Sequence, residues 1–175
     1  MQTKKNNPDC ILFYRLGDFY EMFFDDALTA SKELEITLTG KNCGLKERAP
    51  MCGVPYHAVD GYLNRLVSKG YKVAICEQLE DPAAAKGIVK RDVVRIVTPG
   101  TNLDTQALDE TKNNYIMCIA YASDHYGVSV ADVSNRRVHG NRMIENSEKL
   151  FDEIYKFMPS ELICNEAFLY ERYGF

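Results

Sequence analysis

The sequence lacks the short motifs that mark many enzymes. It contains no G-x-x-x-x-G-K-[ST] phosphate loop, no G-x-G-x-x-G dinucleotide loop and no G-x-S-x-G nucleophile elbow. Its three histidines, His57, His125 and His139, lie outside any serine or cysteine context typical of a nucleophile. These absences argue against catalysis by this chain.

Paired cysteines and long apolar runs are also absent. None of the six cysteines forms a C-x-x-C pair or has a metal-ligand spacing to histidine, so we expect reduced thiols and no metal site. Cys10, Cys76 and Cys118 lie in apolar runs and are expected to be buried. Met1–Asp9 is too polar for a signal peptide, and no run approaches the roughly 20 residues that span a bilayer. A cytoplasmic protein with no membrane contact is therefore expected.

A basic excess, which most nucleic-acid-binding domains show, is missing too: 21 Lys and Arg oppose 25 Asp and Glu. Residues 1–101 hold 14 basic and 13 acidic residues, whereas residues 102–175 hold 7 and 12. Any contact with nucleic acid must therefore use a local patch in the first part. Candidates for phosphate contacts are Lys41 and Lys46 in the positive loop Gly40–Arg48, with a merely solvated loop as the alternative. The same alternatives apply to a second basic run of Lys86, Lys90, Arg91 and Arg95.

What is present is an alternation of strand and helix patterns. The apolar run Cys10–Leu16 predicts a strand buried on both faces, Gly17-Asp18 a two-residue hairpin turn, and Phe19–Phe24 the returning strand. Asp25 and Asp26 are expected to supply an N-cap and a negative first turn for a helix over Ala27–Leu34. Further strands are predicted at Glu35–Thr39, Tyr71–Gln78 and Lys90–Thr98, and a helical turn at Asp81–Lys86. Pro50–His57 is a stiff block before an amphipathic helix ended by Gly70, with the apolar stripe Val59, Tyr62, Leu63, Leu66 and Val67.

A polar segment without periodicity, residues 102–112, is predicted to link two domains, 1–101 and 113–175. The second domain begins with a predicted meander of Tyr115–Tyr121, Gly127–Val133 and Arg137–Asn141. A helix over Glu145–Met158, a strand at Glu161–Cys164 and a helix capped by Asn165 follow. The first of these helices, over Glu145–Met158, is expected to bury Leu150, Phe151, Ile154, Tyr155 and Met158. The predicted fold class is α/β (α+β): a mixed-sheet domain, then an incomplete domain whose element order resembles the ribonuclease-H-like fold.

Asp132 supports a rival hypothesis, a metal-dependent nuclease, because ribonuclease-H-like enzymes bind Mg²⁺ through an aspartate on the first strand. Here Asp132 falls on the second strand of the meander, and no neighbouring carboxylate is evident. A two-metal site needs several carboxylates. We therefore expect an acidic residue at a strand end.

The most informative segment is Gly17–Phe24, GDFYEMFF. Because side chains alternate along a strand, Phe19 and Glu21 should project from one face, at the tip of the hairpin, and Tyr20 and Met22 from the other. The alternation alone leaves a competing interpretation open, with Phe19 in the core and Glu21 as a solvated edge residue.

Four segments resemble, in order and spacing, the MutS family of mismatch-repair proteins: GDFYEMFFDDA, PMCGVPYHAV, AICEQLEDP and VVRIVTPGT. VSVADVS at Val128–Ser134 is a weaker match to the family's connector domain. The resemblance implies a mismatch-recognition domain followed by part of a connector. The full-length family is a DNA-dependent ATPase and homodimer, whose ATP and Mg²⁺ bind in domains that this chain lacks. A second rival, an ATP-dependent enzyme, therefore applies to full-length relatives only.

The family's F-x-E element matches Phe19-Tyr20-Glu21. The resemblance implies that Phe19 stacks on the mispaired base from the minor groove, that Glu21 hydrogen-bonds that base, and that the connector meets MutL. His57, just ahead of an amphipathic helix, would contact the DNA backbone; a local cap or a packed ring is the alternative. The expected function is recognition of mispaired or unpaired bases in duplex DNA, with no catalysis and no cofactor in this chain.

Overall fold

The structure is a computed structural model that describes residues 2–44, 46–80, 87, 89–102 and 113–174. It divides into two compact units, Met1–Asn102 and Leu103–Phe175. The predicted helical turn at Asp81–Lys86, and all of the predicted linker except Asn102, lie outside the described residues. Within the described part, no helix is long and apolar enough to cross a membrane.

The first unit is built on a six-stranded mixed sheet. Its strands are β1 (Cys10–Leu16), β2 (Phe19–Phe23), β3 (Thr39–Lys41), β4 (Ala49–Pro55), β5 (Lys72–Gln78) and β6 (Arg91–Val97). They are arranged in the order β3-β4-β2-β1-β5-β6. Strand β1 pairs in parallel with β5, and the other neighbours are antiparallel. The helices are α1 (Gln2–Asn6), α2 (Phe24–Leu34), a 3-10 turn (Tyr56–Ala58) and α3 (Val59–Val67).

The predicted hairpin between β1 and β2 is confirmed. Leu16 pairs with Phe19, so Gly17 and Asp18 form a two-residue turn, and Gly17 has a φ of +60°. A positive φ at the first central position is the requirement of a type II′ turn, which glycine meets without strain. The core of the unit lies on one side of this hairpin, where Phe13 and Met22 are fully buried with the predicted α3 stripe residue Leu66.

Two local predictions in the first unit are wrong. Helix α2 begins at Phe24 without a side-chain cap. Instead of capping it, Asp26 is buried and accepts hydrogen bonds from the Leu12 amide (3.0 Å) and Lys4 Nζ (2.8 Å), which stabilise a carboxylate out of water. The strand predicted at Glu35–Thr39 is replaced by a left-handed C-cap at Glu35 and the short β3. The proline-containing block, for which the sequence predicts no secondary structure, contains the strand β4, with Pro50 and Pro55 near its two ends, and the predicted helix follows it.

The second unit contains a four-stranded sheet. Its strands are β7 (Tyr115–Ala122), β8 (His125–Asp132), β9 (Arg137–Ile144) and β10 (Glu161–Cys164), in the order β10-β7-β8-β9 with β10 parallel to β7. Helix α4 (Ser147–Phe157) precedes β10, and α5 (Glu166–Tyr173) follows it. The predicted meander, element order and Asn165 cap are confirmed, since Asn165 Oδ1 accepts from the Phe168 amide.

Two burial predictions in this unit are wrong. Helix α4 packs through Leu150 and Ile154, whereas the predicted core residues Phe151, Tyr155 and Met158 are exposed. Cys118 is exposed as well, because β7 turns Met117 and Ile119 toward the helices and Cys118 toward the opposite face of the sheet. In α4 and β7, an apolar side chain is therefore poor evidence that the residue is buried.

Candidate nucleic-acid interface

The hairpin presents different chemistry on its two faces. Tyr20 and Met22 are buried in the core, whereas Phe19 is 47% exposed. Glu21 lies on the same face as Phe19, with 15% of its side chain exposed. The predicted alternation is therefore correct, and the competing interpretation is wrong for both residues: Phe19 is outside the core, and Glu21 is largely shielded from solvent.

The tip of the hairpin is tied down from the face opposite Phe19. Arg15 Nε donates a hydrogen bond to the carbonyl of Gly17 (2.5 Å), and its guanidinium carbon lies 3.7 Å from the centroid of the Tyr56 ring. The Tyr56 amide in turn donates to the carbonyl of Asp18 (2.9 Å). Both carbonyls of the turn are thus satisfied by groups outside it. This leaves Phe19 projecting from a braced turn whose other face is occupied.

Tyr20 anchors the base of the same hairpin. Its hydroxyl donates a hydrogen bond to Glu77 Oε1 on β5, and its ring lies 6.1 Å from that of Phe13. Burial, followed by the hydrogen bond and the charge of Glu77, raises the pKa of Tyr20 to about 12. Tyr20, which lies between Phe19 and Glu21, is therefore held in place by a contact from β2 to β5.

Glu21 forms an ion pair with Lys41, one of the predicted phosphate contacts. Lys41 Nζ lies 2.5 Å from Glu21 Oε2 and 5.8 Å from the centroid of the Phe23 ring, so the ammonium crosses the sheet from β3 toward β2. Glu21 pairs with Gly53 on the intervening strand β4. A Cβ at Gly53 would lie 3.3 Å from the carbonyl oxygen of Tyr20, a tight contact, and 3.6 Å from Glu21 Cγ, an ordinary van der Waals contact.

The other candidates are spread around this face. His57 is exposed in the 3-10 turn, two residues beyond Pro55, the partner of Phe19, with its ring edge-on to Tyr56 at 5.8 Å. The α3 N-cap is Ala58, without a side-chain hydrogen bond, so His57 is not a cap. Lys46 is exposed in the β3–β4 loop. Strand β4 is about 20 Å long at its standard rise, so Lys46 and Phe19 lie near its opposite ends.

One residue of the second basic run, Arg91, has a structural role. Arg91 donates from Nε to the Arg15 carbonyl (2.8 Å) and from Nη1 to the Val89 carbonyl (2.9 Å), while Lys90 and Arg95 are exposed. Lys86 lies outside the described residues. Arg91 therefore supports the brace by holding the backbone of Arg15.

Asp132 is a structural residue at the end of β8. It is fully buried, and its carboxylate accepts hydrogen bonds from the Ser134 amide (3.0 Å), Ser134 Oγ (2.5 Å) and Asn135 Nδ2 (2.8 Å). Burial opposes ionisation, but these hydrogen bonds outweigh it and lower the pKa of Asp132. Among the described residues, no three His, Cys, Asp or Glu side chains are grouped as metal ligands. The carboxylate therefore closes the β8–β9 turn.

Arg15, Tyr56, Glu77 and Gly53 are functional candidates that sequence reasoning missed. Arg15 had a signal, since a cation inside the apolar run Cys10–Leu16 needs a partner. Gly53 is flanked by strand-forming residues, which indicates a close approach of another group. The partners themselves come from other strands and carry no local signal.

Matches to known proteins extend over nearly the whole chain. The family model "MutS domain I" matches residues 1–106, and "MutS domain II" matches residues 114–173. The protein named DNA mismatch repair protein MutS from Lachnoclostridium phytofermentans is 64% identical over 97% of this chain, and the one from Acetivibrio thermocellus is 58% identical over 98%. The matched regions are 18% and 20% of those relatives, so the chain spans about a fifth of their length.

Proposed function

Since the chain belongs to the MutS family, we propose that its first unit recognises mispaired or unpaired bases in duplex DNA during mismatch repair. The observation that carries the proposal is the half-exposed ring of Phe19 on the braced tip of the β1–β2 hairpin. Exposed aromatic rings are expensive to keep in water, and a ring held rigidly outward is suited to enter a partner.

Phe19 acts as a wedge beside the mispaired base. Inserting an apolar side chain between base steps requires unstacking, which costs a few kcal/mol in regular duplex DNA. A mispair is already poorly stacked, so the same insertion costs less there. Every base has a π face, so the ring tolerates any sequence at that position. The bracing by Arg15 and Tyr56 lowers the conformational entropy lost when the ring is inserted.

Glu21 supplies discrimination rather than affinity. A carboxylate close to phosphates weakens binding to any duplex, because like charges repel. It regains free energy only where an unpaired base edge donates a hydrogen bond to it, which a correctly paired base does not offer. Its place on the same face as Phe19 supports this division of roles.

Phosphate contacts from the flanking loops supply sequence-independent affinity. His57 is exposed near the end of β4 that pairs with Phe19, and Lys46 is exposed near the other end. We assign both to backbone contacts, His57 close to the wedge and Lys46 farther along the sheet. Such contacts set the register of the protein on DNA without reading the bases.

The test is Phe19→Ala, made in a chimaera in which this chain replaces the matching segment of the full-length L. phytofermentans relative. We expect the preference for a duplex with one unpaired thymine over the matched homoduplex to vanish, with homoduplex binding within a few-fold of the parent, because phosphate contacts supply most non-specific affinity. Competition binding by fluorescence anisotropy measures both affinities.

Phe24→Ala is the matched control, since Phe24 is 44% exposed but lies at the other end of β2, at the start of α2. It should leave the preference intact. Equal discrimination by the Phe19→Ala variant and the parent would contradict the proposal.

The remaining properties of the family are inferred for proteins that contain this chain. We infer that ATP and Mg²⁺ bind outside it, that homodimerisation uses other domains, and that the second unit is a docking surface for MutL. Residues 102–175 hold 12 acidic and 7 basic residues, a balance that repels DNA and suits a protein partner. ATP hydrolysis by the isolated chain, or Mg²⁺-dependent nicking of supercoiled DNA lost in Asp132→Ala, would contradict this assignment.

A further inference from the structure

We propose that Lys41 is a specificity-determining residue that Glu21 exchanges for the mispaired base. The ion pair stays closed on correctly paired DNA and opens only when a mispaired base competes for the carboxylate. This rests on the proposed function, because it assumes that Glu21 faces the bases.

The geometry of the pair supports such an exchange. Lys41 Nζ and Glu21 Oε2 are 2.5 Å apart, and the carboxylate is the less exposed partner, at 15% against 40% for the lysine side chain. The lysine reaches it from β3, with β4 in between, by a flexible four-carbon chain. Glu21 is therefore fixed on its strand beside Phe19, whereas the ammonium can swing away without movement of the backbone.

The closed ion pair reduces the repulsion between the Glu21 carboxylate and DNA. A shielded carboxylate near DNA is unfavourable unless a partner compensates its charge. With Lys41 attached, the pair is neutral, so correctly paired DNA neither gains a hydrogen bond from Glu21 nor meets its full charge. A base that donates to Glu21 must displace Lys41, which is then free to contact a phosphate. A base therefore binds Glu21 only if its hydrogen bond offsets the free energy of breaking the ion pair, which a weakly donating base does not do.

An independent phosphate contact by Lys41 makes a different prediction. In that case, replacing Lys41 weakens DNA binding by the same factor whatever residue occupies position 21. If the pair is exchanged, binding of mispaired DNA includes the free energy of breaking it, and that contribution disappears when either partner is replaced. A double-mutant cycle separates the two.

The cycle uses Lys41→Met, Glu21→Gln and the double variant in the chimaera that carries this chain, with the same two duplexes. On the duplex with the unpaired thymine, we expect Lys41→Met to weaken binding about three- to tenfold less in the parent background than in the Glu21→Gln background. On the homoduplex, where the pair stays closed, binding includes no free energy of breaking the pair. Lys41→Met there uncovers the charge of Glu21 in the parent background only, so it should not weaken binding less in the parent than in the Glu21→Gln background. Lys41→Arg preserves the charge and should keep the parent's discrimination.

Lys46→Met is the control, because Lys46 is an exposed lysine in the adjacent loop. Combined with Glu21→Gln, it should be additive on both duplexes. A second cycle, on the unfolding of the isolated chain, should show coupling between positions 21 and 41 and thus that the pair forms in the free protein.

Independent effects of Lys41→Met and Glu21→Gln on both duplexes would overturn the exchange, as would equal coupling on both. Absence of coupling in unfolding would overturn the pair itself. Failure of the proposed function is recognised separately, since the parent chimaera would then bind the two duplexes equally.

Discussion

Tyr20 and Phe19 are adjacent in sequence but have opposite roles, because a strand turns successive side chains to opposite faces. Phe19 faces outward, whereas Tyr20 is buried and donates its hydroxyl proton to Glu77. The tyrosine links β2 to β5, with β1 between them. Presentation of Phe19, the proposed wedge, therefore depends on a buried polar contact directly beside it.

Tyr20→Phe should destabilise the chain by about 1–3 kcal/mol at neutral pH, because a buried hydrogen bond to a carboxylate is lost. The folded pKa of Tyr20 is raised from 10.0 to about 12, so its contribution is complete below pH 10 and is lost as the pH rises toward 12. The difference from the parent should therefore shrink over that interval. Urea unfolding followed by circular dichroism measures it, with the exposed Tyr170→Phe as a control that should change little.

Some residue environments follow from the sequence and others do not. Alternation along GDFYEMFF correctly separates Phe19 and Glu21 from Tyr20 and Met22. Local patterns assigned Asp26 to a helix cap and gave no sign of the ion pair between Lys41 and Glu21, because the partners Lys4 and Glu21 lie about twenty residues away in the sequence. Long-range ion pairs of this kind depend on strand order, which periodicity does not specify.

At the scale of elements, the hairpin turn is supported by residues outside it. Arg15, at the end of β1, bonds the Gly17 carbonyl and stacks on Tyr56, while Arg91 from β6 bonds the Arg15 carbonyl. Two segments thus contact the two-residue turn directly, through Arg15 and Tyr56, and a third supports it through Arg91. Since sites held by several supports keep their geometry better than free loops, this explains how a turn can present a rigid wedge.

Arg15→Lys should loosen the turn while leaving the sheet intact. Lysine lacks the planar guanidinium that stacks on Tyr56 while bonding Gly17, and together these contacts contribute about 1–2 kcal/mol. Exchange of the Tyr56 amide, which is bonded to Asp18, should accelerate about tenfold, and mispair discrimination should fall in part. Hydrogen exchange and competition binding measure the two effects.

The control for this substitution is Arg65→Lys, at an exposed arginine on α3 that lies 3.7 Å from Glu35. It should leave Tyr56 exchange unchanged. Faster exchange throughout the first unit in Arg15→Lys would instead show general destabilisation and contradict the bracing role.

The elements that the sequence failed to predict share a cause. Pro50 and Pro55 argue against a strand when taken singly, yet both lie near the ends of β4, where fewer ladder hydrogen bonds are needed. Glu35 occupies a left-handed C-cap with a φ of +57°, a conformation that glycine or asparagine would have signalled. By contrast, the long periodic elements β1, α3 and β5 follow their patterns closely. Short strands and unusual caps depend on their neighbours.

For the molecule as a whole, charge and apolar surface are unequally divided. The first unit is nearly neutral and carries the wedge, whereas the segment from residue 102 onward is acidic. The most exposed large apolar side chains belong to the second unit: Val138, Met143, Tyr155 and Met158. These features agree with the partners proposed above, DNA for the first unit and protein for the second.

The isolated chain should unfold in two steps, with the second unit first. Among the described residues, the main core of the first unit contains 15 buried side chains and that of the second contains 7. Because each large buried apolar side chain contributes about 1.5–3 kcal/mol, the smaller core leaves less to offset chain entropy. Amides of β5 and β6 should therefore exchange more slowly than those of β7 and β8. Leu150→Ala should accelerate exchange only in the second unit, and Leu66→Ala only in the first, each destabilising its own core by about 2–5 kcal/mol. Slow exchange in β7 and β8 with fast exchange in β5 and β6 would contradict this order, and one cooperative transition would show that the two cores unfold together.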